Sequence, residues 1–235
     1  MPDSTQPNPS DNHAAQVIER LKGDILTGYF FSGEKLAMAR LKERYQVGVG
    51  PLREALSRLI VEQLVVVENQ RGFRVHPVSM EEMEDVYETR AHIEALCVRL
   101  AVEKGGDDWE AGIVAAAHRL KKSGTLMGDD IKDTQEWEFR HQQFHLAVAE
   151  GCGSDSLLQV RRSLYEKASR YRNLWLQHNM VNSSVFDANQ REHEELVEAL
   201  LDRDQARACE LIYQHLLGPK RELLKTLPSL IAQGV

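Results

Sequence analysis

One stretch of the chain, and only one, is rich in β-formers on both sides of a turn: Leu64-Val65-Val66-Val67-Glu68, then Asn69-Gln70-Arg71-Gly72, then Phe73-Arg74-Val75-His76. Branched and aromatic residues around a polar, glycine-closed tetrapeptide predict a hairpin. Pro77 breaks the chain, and beyond it no further β-rich run with turn signals occurs. Whatever follows must therefore bury its apolar residues between helices.

The segment before the hairpin is helical in pattern. Val17, Ile18, Leu21, Ile25 and Leu26 recur at helical spacing between His13 and Thr27, and Gly28 ends the run. Phe31 to Leu36 is a connector. Met38 to Tyr45 forms a short second helix closed by Gly48-Val49-Gly50. A third helix opens on Pro51, with Leu52, Ala55, Leu56 and Leu59 on one face and Arg53 and Arg58 on others. Helix, helix, tight turn, helix, hairpin is the order of a winged helix-turn-helix. Residues 1–12 carry Pro, Ser and acidic groups without a basic start or an apolar segment, so they read as a disordered arm and not as a signal peptide. The DNA-binding domain is placed at 13–77.

At residue 79 a capping box, Ser79-x-x-Glu82, opens a long helix whose buried stripe is expected at Met83, Val86, Tyr87, Ile93, Leu96, Cys97 and Leu100. About six helices follow one another, with breaks at Gly105-Gly106, Lys122-Ser123-Gly124, Gly151-Cys152-Gly153, residues 179–182 and Asp202-Arg203-Asp204. The fold class is mainly α: a winged helix-turn-helix, then an all-α bundle over 78–222, then a C-terminal tail at 223–235.

Composition narrows the function. No apolar run approaches the roughly 18 residues of a membrane span. Cys97, Cys152 and Cys209 include no C-x-x-C pair, which argues against a disulfide framework or a thiolate zinc site and fits the cytoplasm. The net charge of −7 divides unevenly: residues 1–77 hold 10 Lys/Arg against 9 Asp/Glu, and 78–235 hold 19 against 27. DNA contact must then depend on local arginines: Arg53 near the start of the third helix, Arg40, Arg44 and Arg58 for phosphates, and Arg71 beside Gly72 at the wing tip for the minor groove. For Arg40 and Arg44 simple solvation of a helix face is an equal alternative.

In the second domain His141 and His145 lie four apart on one helix, and His193 and His215 sit on later helices, so three helices can converge on one ion. Four imidazoles suit Zn²⁺, and Ni²⁺ or Cu²⁺ in vitro; isolated helical histidines are otherwise core or surface groups. Arg90 falls on the apolar stripe of its helix, where a guanidinium is expensive unless paired, and is expected to face the cavity of the bundle. Arg170, Arg172 and Trp175 come from a helix that lines the same bundle, although a surface role for either arginine fits nearly as well.

Residues 48–62, Gly-Val-Gly-Pro-Leu-Arg-Glu-Ala-Leu-Ser-Arg-Leu-Ile-Val-Glu, followed by Gln-Leu-Val and the wing Gln-Arg-Gly-Phe-Arg-Val, resemble the GntR family of bacterial regulators. Tyr87-Glu-Thr-Arg90-Ala-His-Ile-Glu94, Phe144-His145, Gly151-Cys-Gly153, His193 and His215 resemble the metal-binding FCD domain of that family's FadR-type branch. The resemblance implies a homodimeric repressor that binds an inverted-repeat operator through the motif holding Pro51 and Arg53, with a divalent metal and a carboxylate effector held by Arg90. The pairing of Gly48 to Arg53 with Arg140 to His145 is most similar to glutarate-responsive carbon-starvation repressors, which implies glutarate or 2-hydroxyglutarate as effector. Two positions depart from the family: Gly48-Val49-Gly50 stand where Ser-Arg-Thr is usual, and His141 where Asp is usual. A metal-dependent hydrolase on a helical bundle is the competing class. Against it, no His-Glu-x-x-His occurs, and Gln142 stands where such a motif would carry its base.

Overall fold

The computed structural model describes residues 9–68, 72–125, 131–179 and 183–232. The first three helices are α1 (Pro9–Leu26), α2 (Met38–Tyr45) and α3 (Val49–Val61). They are followed by strands β1 (Val65–Glu68) and β2 (Gly72–Val75), an antiparallel pair in the register Val65↔Val75 to Glu68↔Gly72. Lys35 adds a single bridge to Arg74 on the free side of β2. Val17, Leu21, Ile25, Phe30, Leu41, Leu52, Leu56, Leu59, Leu64 and Val75 make one apolar core under this sheet. Helix α1 starts at Pro9, in the first turn where proline's missing N–H is harmless, so residues 9–12 are helix and not arm. Residues 1–8 lie outside the described set, as do Asn69, Gln70 and Arg71 at the wing tip.

The turn between α2 and α3 closes on a left-handed Gln46 (φ 55°), whose N–H bonds the Lys42 carbonyl, and not on a glycine. Gly48 instead precedes α3 as its cap residue, which places Val49 and Gly50 inside the first helical turn.

Six helices follow among the described residues: α4 (Met80–Lys104), α5 (Asp107–Thr125), α6 (Ile131–Glu150), α7 (Asp155–Asn179), α8 (Ser183–Leu201) and α9 (Gln205–Ala232). Ser79 caps α4 by accepting the Glu82 N–H at 3.1 Å. Helix α4 packs along α9, α5 along α6, and α8 against both α5 and α9, so α4, α6, α8 and α9 enclose a shared interior with α7 over α4. Ile93, Leu96 and Leu100 are only partly buried, and α4 turns Arg90 and Glu94 inward instead. The segment expected as a tail is the last part of α9: Leu223 and Leu227 are fully buried because α9 continues along α4 past residue 222.

Helix α7 also touches the winged helix. Lys22 of α1 reaches Glu62 and Glu166, each at 2.8 Å. Burial alone would lower the Lys22 pKa, but the two carboxylates hold it above the ordinary value. Asn173 donates to the Leu26 carbonyl, Arg170 donates to the His76 carbonyl at 2.8 Å, and the Val78 N–H donates to Ser32 Oγ at 2.8 Å.

Candidate metal and effector site

His141 and His145 of α6, His193 of α8 and His215 of α9 are all buried, and one nitrogen from each lies within 4.8 Å of the others. The close contacts are between Nε2 atoms: 3.1 Å from His141 to His145, 3.2 Å from His145 to His215 and 3.3 Å from His215 to His193. Nitrogens about 2.1 Å from one ion at tetrahedral or octahedral angles are about 3.0–3.4 Å apart, so these spacings suit shared coordination. Trp137 stacks on His141 at 4.9 Å between centroids.

Protons alone cannot satisfy the cluster. Arg172 is a pure donor and reaches both ring nitrogens of His141, Nδ1 at 3.2 Å and Nε2 at 3.5 Å, and the shorter contact puts the proton of that neutral ring on Nε2. His215 donates from Nδ1 to the Glu192 carboxylate at 2.7 Å, which leaves a lone pair on its Nε2. His145 Nε2 sits between these two, and either tautomer leaves it facing a like group on one side. Burial, then Arg172 and the other rings, push His141 well below the usual histidine pKa. Burial first, then neighbouring rings and arginines, do the same to His145 and His193, and burial outweighs the help of Glu192 at His215. The rings are therefore neutral, the form in which imidazole can coordinate a metal, and a cation held among them would remove the conflict. His141 joins such a set through Nε2 only if its proton moves to Nδ1 and Arg172 lets go. An ion bound there would supply a Lewis-acidic anchor for an anionic oxygen.

Two buried arginines flank the imidazoles. Arg90 is 3% exposed; its guanidinium lies over the Tyr165 ring, and its Nε, 3.5 Å from Glu94, has no hydrogen-bond partner among the described residues. Glu94 is already engaged by Arg161 at 2.7 Å. Arg172 pairs with Glu138 at 2.7 Å, and Tyr165 donates to the same carboxylate at 3.1 Å. Burial, opposed by Arg172 and Arg90, raises the Tyr87 pKa to about 12, and its buried hydroxyl lacks a partner. Asn189, one turn before His193 on α8, has an orphaned buried carbonyl oxygen. Buried polar atoms without partners are rare, and Arg90 Nε, Tyr87 OH and Asn189 Oδ1 all belong to the helices that carry or flank the four imidazoles.

The expected residues separate on this map. Arg90 and Arg172 reach the site, and the four histidines come together. Arg170 points the other way, to the His76 carbonyl and to Glu82 at 2.8 Å, and so joins the two domains instead of lining the site. The Trp175 side chain lies outside the described residues. In the winged helix Arg53 is exposed and has no partner among the described residues, and Arg58 is exposed with only a loose contact to Glu62 at 3.9 Å. Pro51 lies in the first turn of α3 and Gly72 opens β2 with a left-handed φ of 104°. Arg40 is paired to Glu34, and Arg44 makes two bonds to Asp24, at 2.5 and 2.8 Å, with its guanidinium 3.5 Å from the Tyr29 ring centroid. Arg44 thus holds α2 to α1, and its charge is spent inside the domain. Sequence reasoning missed Glu94, Arg161, Glu138, Tyr165 and Asn189. The available signal was helical spacing, Glu94 lying four residues from Arg90, Asn189 four from His193 and Tyr165 seven from Arg172.

Comparison with known proteins fits this arrangement. Residues 13–75 match the model of the bacterial regulatory proteins of the gntR family, and residues 85–218, more than half of the chain, match the FCD domain. The chain is 47% identical over 199 residues to the HTH-type transcriptional repressor GlaR of Escherichia coli, covering 85% of this chain and 90% of that protein. The chain belongs to the GntR family. This GntR protein is a DNA-binding transcription regulator and not an enzyme, which sets aside the hydrolase alternative. It is also 36% identical to the regulator BphR of Paraburkholderia xenovorans, over 85% of this chain and 80% of that one. The solved structure of E. coli McbR/YncC shares the fold, with a TM-score of 0.78 at 20% identity over 92% of this chain and 98% of that one. Among the described residues of this GntR regulator no helix is long and apolar enough to cross a membrane.

Proposed function

We propose that this GntR regulator is a cytoplasmic homodimeric repressor that binds an inverted-repeat operator and releases it on binding a small dicarboxylate, with glutarate or 2-hydroxyglutarate first. A divalent ion, Zn²⁺ before Ni²⁺, is held by His145, His193 and His215 with His141 as the exchangeable fourth. One effector carboxylate takes the open face of the ion and the other takes Arg90 and Arg172. The observation that carries this reading is the orphaned Nε of Arg90 beside the neutral imidazoles: Glu94 is shared between Arg90 and Arg161, so adding a dication leaves an excess of positive charge that a dianion neutralises.

Helix α7 supports the regulatory part. Arg161, Tyr165 and Arg172 face the site, while Glu166, Arg170 and Asn173 hold the winged helix and its linker. An effector that redirects Arg172 acts on the same rigid helix that positions the DNA-binding domain, and it shifts operator affinity only as far as it discriminates between the two arrangements. Isothermal titration of glutarate into the metal-loaded protein, the chelated protein and Arg90→Ala tests the site. Saturable binding to the first, lost in the other two, is expected; equal binding to all three overturns the reading.

A further inference from the structure

We propose that Val49 is a specificity residue that reads the C5-methyl group of a thymine in each operator half-site, with Gly48 and Gly50 clearing the space for its approach. The inference rests on the operator-binding reading above and deepens it.

Val49 sits in the first turn of α3 and keeps 42% of its surface exposed, although it lies in the helix whose opposite face forms the core of the domain. Arg53, one turn later on the same face, is exposed as well. Four residues of helix advance about 6 Å, so the two side chains can address neighbouring base pairs. In a helix-turn-helix the first residues of the recognition helix contact base edges.

The glycines on either side are not required by the fold. Gly48 has φ −71° and ψ 177°, open to any residue; Gly50 is helical; and a Cβ built on either would meet nothing within 4 Å. Glycine inside a helix is destabilising, so Gly50 costs stability that the fold does not require, while Gly48 is an accepted capping residue that adds no side chain to the surface. A helical glycine that the packing does not require, with a side-chain-free cap on the other side of an exposed valine, fits a surface approached closely by something outside the chain. Residues 48–50 offer no side-chain donor or acceptor, so their side chains take no part in the hydrogen-bond code of the major groove. They can make apolar contact, and the one apolar group displayed there is the thymine methyl.

The test starts from duplexes selected by the wild-type protein out of a randomised pool. Each thymine of the enriched half-site is then replaced, one at a time, by deoxyuridine, which lacks only the methyl. At one position the replacement should weaken wild-type binding about fourfold, the scale of one buried carbon. Val49→Ala should bind the thymine and uracil duplexes equally, while Val61→Ala, which alters an even more exposed valine at the far end of α3, should keep the wild-type sensitivity. Gly50→Ala should melt no lower than wild type yet bind the selected duplex more weakly. Methyl sensitivity that persists in Val49→Ala, or an enriched half-site with no methyl-sensitive thymine, overturns the role of Val49 and leaves operator binding intact. A pool with no enriched sequence overturns operator reading and this inference together.

Discussion

In the winged helix the core from Val17 to Val75 is built of apolar and aromatic side chains, and the arginines lie outside it; in the helical domain Arg90, Glu94, His141, His145, Arg161, Arg172, His193 and His215 lie inside the bundle. The difference follows the size of what each half is proposed to meet. A DNA duplex cannot enter a domain, so its contacts must stand on the surface, where a charge keeps its hydration until it is used. A small dianion can be surrounded, and buried charges act on it through a low dielectric, at the cost of desolvating every one of them. One half should therefore tolerate loss of a functional side chain and the other should not.

The sharpest way to break that contrast is Glu94→Ala. It strands Arg90 and Arg161, both nearly inaccessible, without their shared carboxylate, and removal of one partner from such a buried set should destabilise the helical domain by about 3–5 kcal/mol in urea unfolding. A loss below about 1 kcal/mol would mean that the interior is far better solvated than its burial indicates.

Next in size is the metal. Wild-type protein should contain one divalent ion per chain by elemental analysis, and free ion at a hundred times its Kd should stabilise the fold by about 2.7 kcal/mol. His145→Ala and His193→Ala should lose both the ion and that increment. Metal-free protein that melts at one temperature with or without Zn²⁺ would leave the histidines as core residues. The same rings set a pH dependence for the metal-free state: their pKa values are depressed in the fold, so the unfolded chain binds more protons below about pH 6.5. Stability should be fully present above that value and decline as pH falls through and below it, read as a falling urea midpoint between pH 7 and pH 5.

On the surface side, Arg53→Ala should reduce affinity for the operator by ~1–3 kcal/mol in a gel-shift titration while the melting temperature stays unchanged. A drop in melting temperature would show that Arg53 supports the fold and is not reserved for DNA. The smallest effect belongs to the boundary between the two halves. Glu166→Gln removes one of two carboxylates from the buried Lys22, and because Glu62 still pairs with the ammonium and the new amide oxygen can still accept from it, the loss of stability should be about 1 kcal/mol. Its informative readout is the response to effector: if α7 links the site to the winged helix, the variant should require the same glutarate concentration to bind yet show a smaller change in DNA affinity.

Local pattern was enough for much of the architecture. The spacing of Val17 to Leu26 and of Leu52 to Leu59, the Ser79-Glu82 box and the single hairpin predicted the helices and the wing, because a short-range period is read directly from the chain. The four histidines were legible as a set, since residue chemistry and the pair at i, i+4 are both properties of sequence. Residue chemistry alone could not assign the arginines. Arg44 and Arg53 look alike in the sequence, but the packing of both α1 and α2 on α3 brings Asp24 onto Arg44 and spends its charge. Arg170 and Arg172 are two residues apart on α7, a separation of about 200° around a helix, so the way α7 lies between the bundle and the winged helix sends one to the linker and the other to His141. The partners of a long, flexible cation depend on which helices meet, and that was decided by the tertiary structure.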